Sequence, residues 1–376
     1  LACIYIFKTV QWFSKKREKK ATNQNNSATN ITAGTTCYSL AVEKMSDITK
    51  KSKYIYSLDA LRGVASLSVC LFHTALGNQE FLSKNNYVAL LASKGWVGVE
   101  IFFIISGFII PYSMHMAGYN YRFLGQFITK RFVRIEPPYL LSIIFVLILN
   151  YISSLAPIYQ GKPFVINMSQ FLLHLGYLIP FTEYTWYIDV YWTLAIEFQY
   201  YIIVVILFTF LFSNRKIISV SALIFFSFLF LLVKNERMMP HYSLLFGIGI
   251  LSALFFVEHY NKVLFFVLLT ILLVCIYIQF DTLILLASIL SLLFIFFVKD
   301  ATKLLKFLGM ISYSLYLVHI PVSNRIINLS SRFIEGEIQR TLIVLFAVII
   351  SVFVAWLFYV IIEKPAIQWA KKIKYQ

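Results

Sequence analysis

The chain has 376 residues, of which 60% are hydrophobic and only 13% charged, with 36 Phe and a formal net charge of +16. Soluble domains run at about 45–50% apolar and about 25% charged. The composition therefore excludes an ordinary soluble enzyme, a disordered chain and a binder of nucleic acid. Apolar runs of about 20 residues, each able to cross a bilayer, recur along most of the length. The expected fold class is all-α, a polytopic integral membrane helical bundle.

The first 53 residues stand apart. Residues 14–53 are polar, with a basic run (Lys15, Lys16, Arg17, Lys19, Lys20) and an Asn/Thr/Ser stretch over 21–36. Such a segment buries too little apolar surface to fold alone. Met45 opens MSDITKKSKYIYSLDALRG, a natural short start, and residues 1–44 read as an upstream extension of the frame or a polar tail. The opening LACIYIF is too short, and in the wrong order, for a signal peptide. This divides the chain into a basic tail (1–53), a membrane domain (54–365) and a basic C-terminal tail (366–376). Cys3, Cys37, Cys70 and Cys275 are scattered, with neither disulfide nor metal spacing, and no metal is expected.

Ten spans are predicted, at about 58–77, 97–115, 136–156, 186–212, 217–233, 240–257, 262–279, 281–298, 303–325 and 339–362. An even number puts both termini on one side. With the N-terminus inside, inside segments carry 25 Lys and Arg against 8 outside, and 15 against 8 without the ten up to Lys53. That bias predicts cytoplasmic termini. The +16 is then mainly a topology signal, although basic edges also attract anionic lipid or an anionic substrate. Within the outer 157–185 loop, FLLHLGYLIP (171–180) is apolar but too short to span, so it is interfacial or re-entrant.

Ionisable groups inside spans are expensive and mark function by default. Arg62 and His73 lie eleven residues apart in the first span, about three helical turns, so they share a face about 16 Å apart along the axis. A His is the natural general base near neutral pH. The plainer reading has Arg62 snorkelling to headgroups and His73 capping a helix. In the second span, Gly98 and Gly107 permit close helix approach. Glu100 either orients His73 through a hydrogen bond or faces water at the span's edge. Arg131 and Arg134, three apart on an expected short interfacial helix, either hold phosphates or simply add to the inside charge. Pro137 and Pro138 follow and are expected to open the third span. The fourth span offers Asp189, Trp192 and Glu197, the last able to pair with a buried Arg or bind a sugar hydroxyl. The ninth carries Tyr313, Ser314, Tyr316 and His319. His319, lacking an evident carboxylate partner, reads as structural or acceptor-binding, and the lone His174 carries little weight.

Taken in order, several of these segments are similar to the membrane-bound acyltransferase-3 family, the O-antigen and exopolysaccharide O-acetylase-like integral membrane proteins. The pieces are LDALRG (58–63) with the Arg62-to-His73 spacing, GVEIFFIISGF (98–108), and Arg131-x-x-Arg134 followed by Pro137-Pro138-Tyr139. YWTLAIEFQYY (191–201) and ISYSLYLVHIP (311–321) complete the set. The match in order and spacing covers about residues 54–365. The family often has Ser at Thr193 and a second Glu at Phe198; neither departure touches Glu197.

The resemblance implies a ten-helix bundle that moves an acyl group, usually acetyl, from cytoplasmic acyl-CoA to a carbohydrate hydroxyl at the outer face or on a lipid carrier, in a bacterial inner membrane. On that basis His73, Arg62 and Glu100 are the catalytic candidates, with Asp59 near Arg62. Arg131, Arg134 and Arg62 are candidates to hold acyl-CoA, probed as acetyl-CoA. Glu197, Trp192, Asp189, Tyr316 and His319 are candidates for the acceptor side. Two other readings compete: a transporter or flippase for a lipid-linked or anionic glycan precursor, and a membrane protein that keeps the fold without the chemistry.

Overall fold

The computed structural model describes residues 55–78, 80–157 and 164–374. The basic tail of residues 1–53 lies outside the described residues. What is described is helical, with no strand among the described residues.

In chain order the helices are α1 (Tyr56–Leu76), the short α2 (Tyr87–Ala92), α3 (Gly98–Met116), α4 (Leu124–Ser154), α5 (Met168–Leu175), α6 (Trp192–Leu211) and α7 (Lys216–Ser227). They continue with α8 (Ser243–Phe256), α9 (Lys262–Gln279), α10 (Thr282–Phe297), α11 (Lys303–Met310), α12 (Ser312–Ser330), α13 (Glu337–Phe358) and α14 (Lys364–Lys372). Each region expected to span is helical. Six helical stretches are long and apolar enough to cross a membrane, or seven if the bent pair α11–α12 counts as one. Of the rest, α1 is diluted by Asp59, Arg62 and His73. At 12 and 16 residues, α7 and α10 are about 18 and 24 Å long, short of the roughly 30 Å hydrocarbon core.

The sequence misleads at three breaks. Pro137 and Pro138 do not start a helix: α4 runs unbroken through both for 31 residues. Arg131 and Arg134 therefore ride on the long helix itself, not on a separate interfacial one. The ninth region is broken, with α11 and α12 meeting at 72°. The last ends in a π-turn (Tyr359–Glu363) before α14.

Close backbone approach positions the core. Every residue of α8 from Ser243 to Leu254 is buried. A Cβ on Gly107 of α3 would meet the Phe246 carbonyl oxygen at 2.3 Å, and one on Gly249 of α8 would meet the Ile104 oxygen at 2.3 Å. These reciprocal glycines let α3 and α8 cross in backbone contact, as Gly107 was expected to do. The α11–α12 bend uses the same device: a Cβ on Gly309 would meet the Asp59 oxygen of α1 at 2.1 Å. The outward faces remain apolar, for example Leu345, Phe346, Ile349 and Phe353 on α13, as a lipid-facing surface requires.

The apolar 168–181 stretch is the helix α5 and a 3-10 turn (Ile179–Phe181); it buries His174, Tyr177 and Ile179 and leaves Met168, Leu172, Leu178 and Phe181 exposed. Tyr177 stacks on Tyr139 of α4 and on Phe198 of α6, with ring centres 5.0 and 5.3 Å apart. His174 is structural: its buried Nε2 accepts from the Tyr187 N–H at 3.0 Å, which leaves Nδ1–H to donate to the Gln170 carbonyl at 2.8 Å.

Candidate functional site

Two polar clusters occupy the bundle, joined by one face of α12. Tyr313, Tyr316 and His319 recur every three residues on that helix, so they lie on neighbouring turns of one side. Tyr313 serves the first cluster and His319 the second.

The first cluster is a cleft between α4, α6 and the Tyr177 loop, lined by Arg131, Glu136, Tyr177, Leu194, Glu197 and Tyr201. Glu197 accepts from Ser106 of α3 at 2.9 Å and from Tyr201 at 2.5 Å. Glu136, only 4% exposed, accepts from Tyr177 at 3.0 Å. The Arg131 guanidinium donates to Ser113 at 3.2 Å and lies 5.3 and 5.6 Å from the ring centres of Phe127 and Tyr201. Its fork is thus held by a hydroxyl and two aromatic faces, the stacked setting that suits guanidinium rather than ammonium. Tyr313 donates to the Ile135 carbonyl at 2.9 Å, binding α12 to the back of the cleft.

Glu363 was not picked out from the sequence. It closes the π-turn, is 4% exposed, and accepts from the Ser314 N–H at 3.1 Å and the Ser314 hydroxyl at 2.5 Å. The carboxylate thus caps the first turn of α12 just past the bend, where unpaired N–H groups favour an anion. Arg62 and Arg134 both exert their charge on it. One acid at the bend thus feels the charge of arginines from two helices. π-turns often sit at functional sites. The available signal was an acid followed by Lys364 and Pro365 at the end of an apolar run; it lay one residue beyond the predicted span. Glu136 was passed over because it stood at the very start of the predicted third span, whereas the helix begins at Leu124.

The second cluster gathers the C-terminal end of α1, the start of α6 and the middle of α12. The His73 and His319 rings are 5.4 Å apart between centres, tilted by 47°. Asp189, in the exposed turn before α6, is the carboxylate whose charge reaches His73. Tyr316 shares a 2.7 Å hydrogen bond with Thr193, also donates to the Val190 carbonyl at 3.1 Å, and lies 6.0 Å from the His319 ring. Trp192 packs on Tyr242 and Phe103, with ring centres 5.6 and 6.2 Å away. Glu100 follows neither expectation: no hydrogen bond joins it to His73 among the described residues, and it does not face water but is buried, its Oε2 without a partner among them. Its charge falls instead on Tyr242 and Tyr316, because the first turn of α3 faces α8 and α12.

Arg62, Arg131, Arg134 and Glu197 thus gather around or beside the cleft and the bend, while His73, His319, Asp189, Trp192 and Tyr316 gather at the second cluster. Residues 55–360 match the sequence model of an acyltransferase domain, acyltransferase-3. The chain belongs to the membrane acyltransferase-3 family. No curated protein and no solved structure matches it. The acyltransferase domain starts at the first described residue and ends within the π-turn, so it takes in both clusters and stops three residues short of Glu363.

Proposed function

We propose that this acyltransferase moves an acyl group, acetyl by preference, from cytoplasmic acyl-CoA to a hydroxyl of a cell-surface or lipid-linked carbohydrate. The observation that carries the reading is the placement of groups on α1: Arg62 near the α11–α12 bend and, with Arg134 of α4, acting on Glu363, and His73 about 16 Å further along, beside a second imidazole and a carboxylate. One end suits a polyanionic donor and the other a hydroxyl acceptor.

Arg131, Arg134 and Arg62 hold the phosphates of the donor, with the acyl-bearing arm directed along the α12 face towards His73. His73 takes the proton of the acceptor hydroxyl as its oxygen attacks the thioester carbonyl carbon. As the carbon–sulfur bond breaks, the proton passes to the leaving sulfur. Asp189 sets a negative charge towards the His73 imidazole, and Trp192 and Tyr316 bound the space for the acceptor, while Glu197 lines the arginine cleft on the donor side. This assignment puts the N-terminal ends of α1 and α4 at the cytoplasmic surface. It agrees with the 25-to-8 distribution of Lys and Arg for ten membrane crossings, both termini inside, in a bacterial inner membrane.

The test is transfer from radiolabelled acetyl-CoA to glycan in membranes containing the protein. Label in glycan that depends on His73 is expected. Movement of a glycan precursor without consumption of acetyl-CoA would replace this reading with that of a transporter.

A further inference from the structure

His319 is fully buried, and its Nδ1 lies 2.9 Å from the Leu315 carbonyl oxygen one turn back on α12. A carbonyl only accepts, so Nδ1 carries the hydrogen and Nε2 is left as a bare lone pair. That Nε2 has no partner among the described residues. An acceptor buried without a donor costs free energy, so a site that keeps one calls for a role that repays it. The donor within reach is His73. A hydrogen bond between two imidazoles puts their ring centres roughly 5 Å apart, and these stand at 5.4 Å. A small rotation of the partly exposed His73 ring brings the nitrogens together.

We propose that His319 is a positioning residue whose Nε2 accepts a hydrogen bond from the His73 ring when that ring carries a proton. No proton passes to His319, whose Nδ1–H stays on the Leu315 carbonyl. The pair fixes the His73 ring and favours its charged form at the moment the acceptor hydroxyl gives up its proton. The catalytic use of the pair rests on the function proposed above; the pair itself does not. The other titratable groups on the surrounding elements are Asp189 before α6, Tyr316 on α12, Glu100 on α3 and Asp281 before α10, which faces Glu100. Asp189 is the one of these whose charge acts on His73.

The experiment is a pH titration of the histidine rings by nitrogen-15 NMR on the full chain in nanodiscs. In the wild type, His319 is expected as the Nδ1–H tautomer, with its Nε2 resonance moving as His73 titrates. In His319→Leu, His73 is expected to titrate lower by about one pH unit or more, the loss of a hydrogen bond from a charged donor. His319→Gln, which restores an acceptor near the Nε2 position, is expected to recover most of that change. An Nε2–H tautomer of His319, or a His73 titration unmoved in both variants, would overturn the proposal. The wild-type tautomer needs no variant to fold. Acetyl transfer is measured on the same samples: no transfer alongside a His319-dependent titration supports the pair and refutes only the assigned donor.

Discussion

A base that works on a hydroxyl must sit where its charge can form and where a substrate can reach it. The proposed base, His73, is partly exposed, with the charge of Asp189 reaching it and the His319 ring beside it. Replacing it with Ala is expected to lower acetyl transfer at least about a hundredfold, the usual share of a general base, with protein levels in the membrane unchanged. Full activity in that variant would remove His73 from the chemistry. The arginines carry a separate expectation. Arg131→Ala with Arg134→Ala should weaken CoA binding at least tenfold in an equilibrium measurement on purified protein, and unchanged affinity would refute their role. At this scale the sequence was informative wherever a charged residue sat inside an apolar run. Arg62, His73 and Glu197 stood out because lipid tolerates such groups poorly. Glu136 and Glu363 did not, because each lay at the edge of a run whose end had been misplaced. The pairing of His73 with His319 joins residues 246 positions apart, a contact that no local pattern encodes.

The element scale shows why those ends were misplaced. A double proline ordinarily marks a helix start, yet α4 passes through Pro137 and Pro138 without a break. The 72° bend and the π-turn have no periodic signature, since the apolar pattern runs on through both. Helix crossings were more legible, because small residues in a span announce close contact. Gly107→Ala is expected to destabilise the protein by about 1–3 kcal/mol, the usual cost of overpacking, since its methyl group would strike the Phe246 backbone. Gly125→Ala on α4, where a Cβ meets nothing within 4 Å, serves as the control and should leave the melting temperature in detergent unchanged or slightly raised. Equal melting temperatures for the two variants would contradict the crossing. The Tyr177 loop gives a pH dependence. Burial holds the His174 imidazole below its ordinary range, opposed in part by the bond to Gln170. The folded state thus favours the neutral ring, and its stabilisation is complete above the ordinary value of about 6.5 and is lost as the pH falls below it. Protonation would put a hydrogen on the nitrogen that now accepts from Tyr187. Hydrogen exchange at the Tyr187 amide, corrected for intrinsic rate, is expected to be faster at pH 5.5 than at pH 7.5. Equal protection would show that His174 does not hold the loop.

For the molecule as a whole, the composition indicated the class of protein, and the order of motifs indicated the family to which it belongs. The expected number of crossings rested on apolar runs alone. Both α7 and α10 fall below the hydrocarbon thickness and must be completed by flanking residues, or by local thinning of the bilayer, if ten crossings are made. Single cysteines introduced at Glu258 and Glu335, in a background lacking the native ones, are expected to react with an impermeant thiol reagent from opposite faces of the membrane: Glu258 from inside and Glu335 from outside. Labelling of both from one face would contradict the ten-crossing arrangement. The central claim, that donor and acceptor meet at His73, is tested most directly by one measurement. Membranes carrying either the wild type or His73→Ala receive radiolabelled acetyl-CoA, and the extracted glycans are analysed by mass spectrometry. The account predicts an acetyl ester on carbohydrate in the first sample and none in the second. Equal acetylation in both, or none in either while the protein is intact, would contradict it.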